Sequence, residues 1–349
     1  MIQLAIFILG LNLVFSQNIA ERFLVPLYYE IRTSSGYDSN LFLYSNNEMN
    51  SMSLISPEMV SVPYYDSGKL KPEIKLTYIP QLINGIETRL YGSFGYTIYP
   101  QVSIKNYQSY SGKIGFYFDA YHSVKIGYSY IPDFFLRRYA DLDLTDTPVK
   151  DCAFSKSNSF LSYTHPLKNR NWIKFQFNQT QYFFNSHFTE FDTEVNQLKL
   201  LGSLGLKNRI RSTIQIGFAE GKNTTYNNGL ITTDFDRSYK MLSTRLGFKT
   251  GKLFDNQLEF FRVTSEIKKR WFLSESPDDL LHNGRNHIEY KFNFTIGKKL
   301  SSKILLESYL NLRNRETHSS YEFVEELKSF QKIETGLRLI FKGYLDIYY

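Results

Sequence analysis

The feature that most constrains this chain is an alternation of apolar and polar residues with period two. It recurs in runs of about ten residues through most of the length. An extended strand sends successive side chains to opposite faces, so each run predicts a strand with one greasy and one polar face. The clearest run sets Ile288, Tyr290, Phe292, Phe294 and Ile296 against Glu289, Lys291, Asn293 and Thr295. Comparable runs carry Ile114, Phe116 and Phe118; Ile173, Phe175 and Phe177; Ile214, Ile216 and Phe218; and Leu306, Leu310 and Leu312. Three runs are less regular. Residues 70–79 contain Pro72, which favours a strand end. Residues 157–167 place Phe160 beside Leu161 and leave the register open. Residues 257–269 change phase between Phe260 and Phe261, which predicts a bulge.

The breaks between runs alternate in length. Short ones fall at 80–85, 120–123, 166–171, 207–210, 250–256 and 298–302. Long ones fall near 34–69, 100–109, 138–156, 184–195, 221–237, 271–285 and 314–329. In an antiparallel meander this puts every short turn at one end and every long loop at the other. In the final run Leu337, Leu339, Phe341, Gly343, Leu345, Ile347 and Tyr349 all share one parity, predicting a long last strand. The count is about 14 strands, within a range of about 12–16.

Alternation alone does not separate a soluble sandwich, whose apolar face is its core, from a barrel that turns that face to lipid. Four features favour the barrel: an export signal, the alternating turn lengths, a pattern that covers nearly the whole mature chain, and an aromatic last strand. Residues 1–16 (MIQLAIFILGLNLVFS) hold the only long apolar run. It is too short to span a bilayer as a helix and reads as an export signal, with the mature chain starting at Gln17. No cysteine follows it, which excludes a lipid anchor at that point. Aromatic residues make 17% of the 349, from 29 Phe and 27 Tyr, which excludes a disordered chain. A single cysteine excludes an intrachain disulfide framework and a thiolate zinc site. Tyr28, Tyr29, Tyr96, Tyr99, Tyr182, Phe183, Phe184 and Tyr348 stand at strand ends, where interfacial girdles form. The expectation is an all-β, closed, up-and-down antiparallel transmembrane β-barrel, one domain over residues 17–349, in the outer membrane of a Gram-negative cell.

On these features the chain resembles bacterial outer-membrane β-barrel proteins of the porin-like size class. Gly36-Tyr37-Asp38-Ser39-Asn40-Leu41-Phe42 is similar to the start of several uncharacterised barrel families. The resemblance implies a location and an architecture; it carries no functional residues across.

No catalytic constellation appears: there is no Gly-x-Ser-x-Gly, P-loop, Gly-x-Gly-x-x-Gly or His-Glu-x-x-His. The six histidines are scattered, so no enzyme and no cofactor is expected. Asp141, Asp143 and Asp146 crowd an outer loop but lack the glycine and final glutamate of an EF-hand. They read as a solvated acidic loop, with divalent-cation binding as the alternative. Cys152 reads as an inert thiol.

The net charge of +7 is informative once sorted by face. Lys75, Arg89, Lys113, Lys125, Lys174, Lys199, Arg211, Arg245, Lys291, Arg313 and Arg338 fall on the inward face. Glu73, Glu87, Asp119, Glu289, Glu307 and Glu334 are the acids there. A cation-rich lumen predicts passive passage of small solutes with an anion preference; the alternative is that the charges pair and fill the barrel. The cations are spread over many strands, so nucleic-acid binding is not expected. The expected partners are outer-membrane lipid and, through the C-terminal aromatic strand, the barrel-assembly machinery. The other readings are a structural or surface role, a secreted soluble all-β binding protein or adhesin, and a membrane-embedded lipid-modifying enzyme.

Overall fold

The computed structural model describes residues 22–51, 64–140, 149–206, 210–225, 236–253 and 257–346. The segment 1–16, Asp141, Asp143, Asp146 and the last three residues lie outside them. Fourteen antiparallel strands form a closed barrel. They are β1 (Leu27–Asp38), β2 (Ser67–Tyr78), β3 (Glu87–Thr97), β4 (Tyr107–Asp119), β5 (His122–Ala140), β6 (Val149–Pro166) and β7 (Trp172–Phe184). They continue with β8 (Thr193–Gly205), β9 (Arg211–Asn223), β10 (Tyr239–Lys249), β11 (Phe260–Phe272), β12 (Asn286–Lys299), β13 (Ile304–His318) and β14 (Phe330–Leu345). Each strand pairs with its sequence neighbours, and β1 closes on β14 from Leu27↔Leu345 to Asp38↔Glu334. Two short helices sit in outer loops: α1 (Asn46–Ser51) and α2 (Glu322–Lys328).

The apolar face of the strands points outward. Ile31, Leu198, Ile216, Leu246, Ile267 and Leu337 are exposed, Leu198 at 61% of its surface. Such a ring is untenable in water and is what a lipid-facing wall requires, because in hydrocarbon every backbone group must be paired within the sheet. The polar parity faces inward, where Glu289, Glu307, Ser203 and Ser243 are buried.

The structure resolves the three less regular runs. The register of β11 with β12 runs unbroken from Phe260↔Gly297 to Trp271↔Asn286, and the irregularity lies at its start, where the Glu259 N–H bonds the carbonyl of Gly297, the partner of Phe260. The phase change arises because Phe260 is an inward aromatic whose ring lies over Gly297 on the next strand, where a Cβ would collide with it. Phe160 covers Gly127 in the same way, while Leu161 faces out at 50% exposure, which settles the register left open there. Further irregularities lie in β5, where the register with β6 shifts between Ile131 and Phe134 and again between Phe135 and Arg137. Pro132 sits at the first shift, as expected of a residue with no N–H to give the ladder. Pro72 is not a strand end but lies inside β2. The Leu70 N–H points to β3, bonding Ile98 O, so an N–H on Pro72 would point the same way. Leu70↔Ile98 and Glu73↔Gly95 share one register, so Pro72 stands opposite Tyr96 and its missing N–H interrupts the β2–β3 ladder there.

The short and long connections alternate around the ring, but strands reach further than the breaks suggest. Ser34–Asp38 and Ser67–Lys69 belong to β1 and β2, and residues 149–156 belong to β6. Placing a charge on the lipid face is the sensitive test of orientation. Leu198→Arg in β8 is expected to lower stability by about 2–4 kcal/mol. Lys199→Gln, one residue on and inward, is expected to change it by less than about 0.5 kcal/mol. The midpoint of urea-induced loss of the heat-modifiable gel band measures both.

Candidate functional site

Among the described residues, three cavities on the inward face share lining residues. The largest, about 850 Å³, is lined by Lys156, Lys199, Lys268, Arg270, Lys291, Arg313 and Arg315 with only Glu266 and Glu289 opposing them. A second, about 510 Å³, shares Ser93, Ser111, Ser129 and Phe160 with it and adds Glu30, Arg32, Lys75, Lys113 and Lys342. A third, about 360 Å³, lies between Asn46 and Asn47 of α1 and Glu326 of α2, and shares Arg315 with the first.

Strand pairing explains the largest cavity. β11, β12 and β13 are neighbours, and their register aligns Lys268 with Glu289 and Glu289 with Arg315. One row along, Glu266 aligns with Lys291 and Lys291 with Arg313; in the other direction Arg270 aligns with His287. Glu289 therefore sits at the centre of a basic patch. Its carboxylate accepts from Lys291 Nζ (3.0 Å), Arg313 (2.7 Å) and Arg315 (3.0 Å). One anion fixes three cations and leaves the patch positive. Glu266 is paired with Lys268 at 3.4 Å. Arg270 lies over the Tyr239 ring at 4.0 Å and has no carboxylate within salt-bridge distance among the described residues. The Nε atoms of Arg270, Arg313 and Arg315, Nδ1 of His287 and Nδ2 of Asn178 are buried without a hydrogen-bond partner.

The remaining sequence-derived positions fall into two groups. Lys75 pairs with Glu73 at 3.5 Å, Arg89 with Glu87, and Arg338 with Glu307 at 2.9 Å. Lys113, Lys125 and Lys174 have no carboxylate partner among the described residues and instead face the rings of Tyr91 (3.9 Å), Tyr117 (4.7 Å) and Trp172 (5.7 Å). Lys199 and Arg245 likewise lack an acid partner there. Arg211 donates to Ser203 Oγ at 3.0 Å and lies beside the Tyr121 ring. Asp119 does not join the lumen charges: its carboxylate accepts from the Ala120 N–H at 2.6 Å and caps a tight turn.

The sequence reading missed Glu30, Arg32, Lys156, Lys268, Arg270, His287 and Arg315. Parity was the available signal: His287 and Arg315 extend the alternation of two clear runs, but stood at or inside what looked like loop.

The outer loops fold into the mouth. The segment Gly36–Phe42 makes the turn. Asp38, 1% exposed, accepts from Lys332 Nζ at 2.6 Å. The Asn40 side chain accepts from Tyr44 N–H (2.9 Å) and donates to the carbonyls of Tyr44 (2.8 Å) and Gln331 (3.0 Å). Leu41 and Phe42 then pack with Tyr44, Tyr99, Val102 and Phe135. Arg137 holds the segment down, donating to Glu48 (2.8 Å) and to the Phe42 (2.8 Å) and Leu43 (3.2 Å) carbonyls. The Lys105 amine donates to the carbonyls of Phe135 and Leu136, both at 2.8 Å, and burial pushes its pKa well down. On the far side, the 273–285 loop is organised by Asp279, whose carboxylate accepts from the Asp236 N–H (3.0 Å) and from the His282 ring (2.8 Å).

A closed barrel with an apolar outer belt and a charged interior is an outer-membrane architecture. No family model matches the chain, and no curated protein matches it. Among solved structures it is similar to an outer-membrane channel from Pseudomonas putida F1 (8% identity, 91% of this chain and 96% of that one, TM-score 0.43). It is similar to OccAB3 of Acinetobacter baumannii (9% identity, 92% and 99%, TM-score 0.43) and to an anion-selective porin from Comamonas acidovorans (9% identity, 90% and 98%, TM-score 0.38). Likeness at that level adds nothing to what the strand pairing establishes.

Burial, with Arg285 and Arg237 nearby, holds the pKa of His282 down at about 4 from 6.5, against the pull of Asp279. The packed loop thus favours neutral imidazole, and its stability falls as pH drops from about 6.5 to about 4; Asp279, whose own pKa is lowered, stays ionised in that window. Hydrogen exchange in residues 273–285, corrected for intrinsic rate, is expected to rise over that interval. The rise is expected to be absent from residues 39–51.

Proposed function

We propose that this protein is an outer-membrane channel for passive passage of small solutes, with a preference for anions. Residues 1–16 act as the export signal, and β14 is the segment presented to the barrel-assembly machinery. One observation carries the anion preference. Every carboxylate lining the two larger cavities is ion-paired: Glu30 to Arg32 and Lys342, Glu266 to Lys268, and Glu289 to three cations. Lys113, Lys156, Lys199 and Arg270 line the same cavities with no carboxylate partner among the described residues. A solute entering this space meets neutralised acids and free cations, and a low-dielectric wall strengthens that bias. Cations line both of the larger cavities, so an entering anion meets more than one attractive site along its way.

The test is a planar-bilayer recording under a potassium chloride gradient. The reversal potential is expected to show higher permeability for chloride than for potassium. Combining Lys113→Glu with Lys199→Glu is expected to lower or reverse that preference. Absence of conductance, or cation selectivity of the unaltered protein, would overturn the reading.

A further inference from the structure

We infer that the largest cavity is a binding site for a dianionic tetrahedral oxyanion, phosphate or sulfate, free or borne on a small organic solute, a proposal that rests on the anion-channel reading. The walls differ in charge by design of the register. Lys268, Arg270, Lys291, Arg313 and Arg315 converge on strands β11–β13 against Glu266 and Glu289 alone, so the patch stays positive by more than one charge. A single monoanion would leave that excess largely uncompensated in a confined, poorly screened space; a dianion balances more of it.

The donors are also of the right kind. Guanidinium groups offer planar forks that match the oxygen spacing of phosphate and sulfate, which a bare halide cannot use. Glu289 pre-positions two of them, Arg313 and Arg315, by holding one nitrogen of each. Their orienting partner is therefore part of the wall, and the heads need not be ordered when a ligand arrives. Arg270 is held instead by its stacking over Tyr239.

The opposite wall supplies neutral donors. Asn178 is 5% exposed, lines the cavity, and its Nδ2 has no hydrogen-bond partner. Gln176 donates to its Oδ1 at 2.7 Å, fixing the amide with the NH₂ group left over. His287, also 5% exposed, keeps an unpartnered Nδ1 on the basic side. Buried donors without partners are rare and costly in folded proteins, and several around one cavity mark a place where an acceptor binds. The space, about 850 Å³, is far larger than a bare tetrahedral anion needs, so a phosphorylated or sulfated organic body fits as well.

Calorimetry on the detergent-solubilised, heat-modifiable full chain at pH 8 tests this with inorganic phosphate, sulfate, glucose 6-phosphate and acetate. Phosphate and sulfate are expected to bind at least about tenfold more tightly than acetate, and Arg270→Gln to weaken phosphate by about tenfold. Lys269→Gln, one residue away but on the outer face, is expected to leave phosphate binding unchanged. Glucose 6-phosphate binding more tightly than phosphate identifies an organic ester as the source; binding more weakly identifies the inorganic ion. Acetate equal to phosphate, or a folded Arg270→Gln protein that binds phosphate normally, overturns the site. The channel reading fails separately, by absence of conductance in bilayers from a protein that still binds phosphate.

Discussion

The structure depends first on the ladder that joins β1 to β14. Hydrocarbon offers no hydrogen bonds, so any strand edge left open in it would strand a row of N–H and C=O groups. Closure removes both edges at once, and it constrains everything else. With 14 strands tied in a ring, the parity of each residue is fixed by its neighbours' register, and a slip of one residue anywhere would bring a face of leucines into the lumen. The unbroken pairing of Leu27↔Leu345 through Asp38↔Glu334 fixes the parity of the whole wall.

Closure also creates an interior that must be satisfied without an oil-like core. The chain does this in two ways. Aromatic side chains fill the space over inward glycines: the Tyr309 hydroxyl reaches Gly36 and Gly336, which face each other so closely that no Cβ fits at either. Charges are gathered around few acids, Glu289 above all. Removing one partner of such a buried cluster leaves the others uncompensated, so Glu289 matters less as a net source of stability than as the group that fixes where three cations point. The same logic holds at Asp38, which anchors Lys332 beneath the first outer loop.

The architecture was legible from the sequence because lipid facing and lumen facing alternate residue by residue. The strand number, the alternation of short and long connections and the inward parity of Lys291 and Arg313 follow from that one rule. What was not legible lies where the rule is broken or stretched. Pro132 and the shifts after it erase the parity of β5, so Arg137, which pins the first loop, could not be assigned a face. An inward Phe260 breaks the pattern of β11, because an aromatic ring laid over a glycine reads like a phase error in a hydrophobic alternation. Strands that run beyond the lipid lose their apolar partners on the outer side and look like loop; Arg315 and residues 149–156 were hidden in that way. Gly36–Phe42 looked like a family signature with no stated role. Its residues turn out to build the turn by which the first loop enters the mouth.

That turn links the two halves of the structure. The segment it directs inward ends in α1, which packs near α2, and between them lies the smallest cavity, joined to the largest at Arg315. The loops therefore crowd the lumen at the end where β11–β13 concentrate their cations. A narrower space holds less water and salt to screen each charge. A basic patch lower in a wide, wet barrel would bias ions weakly. Placed where the loops converge, the same five cations line the narrowed end of the lumen, so the position of the patch along the barrel matters as much as its charge for the proposed anion preference.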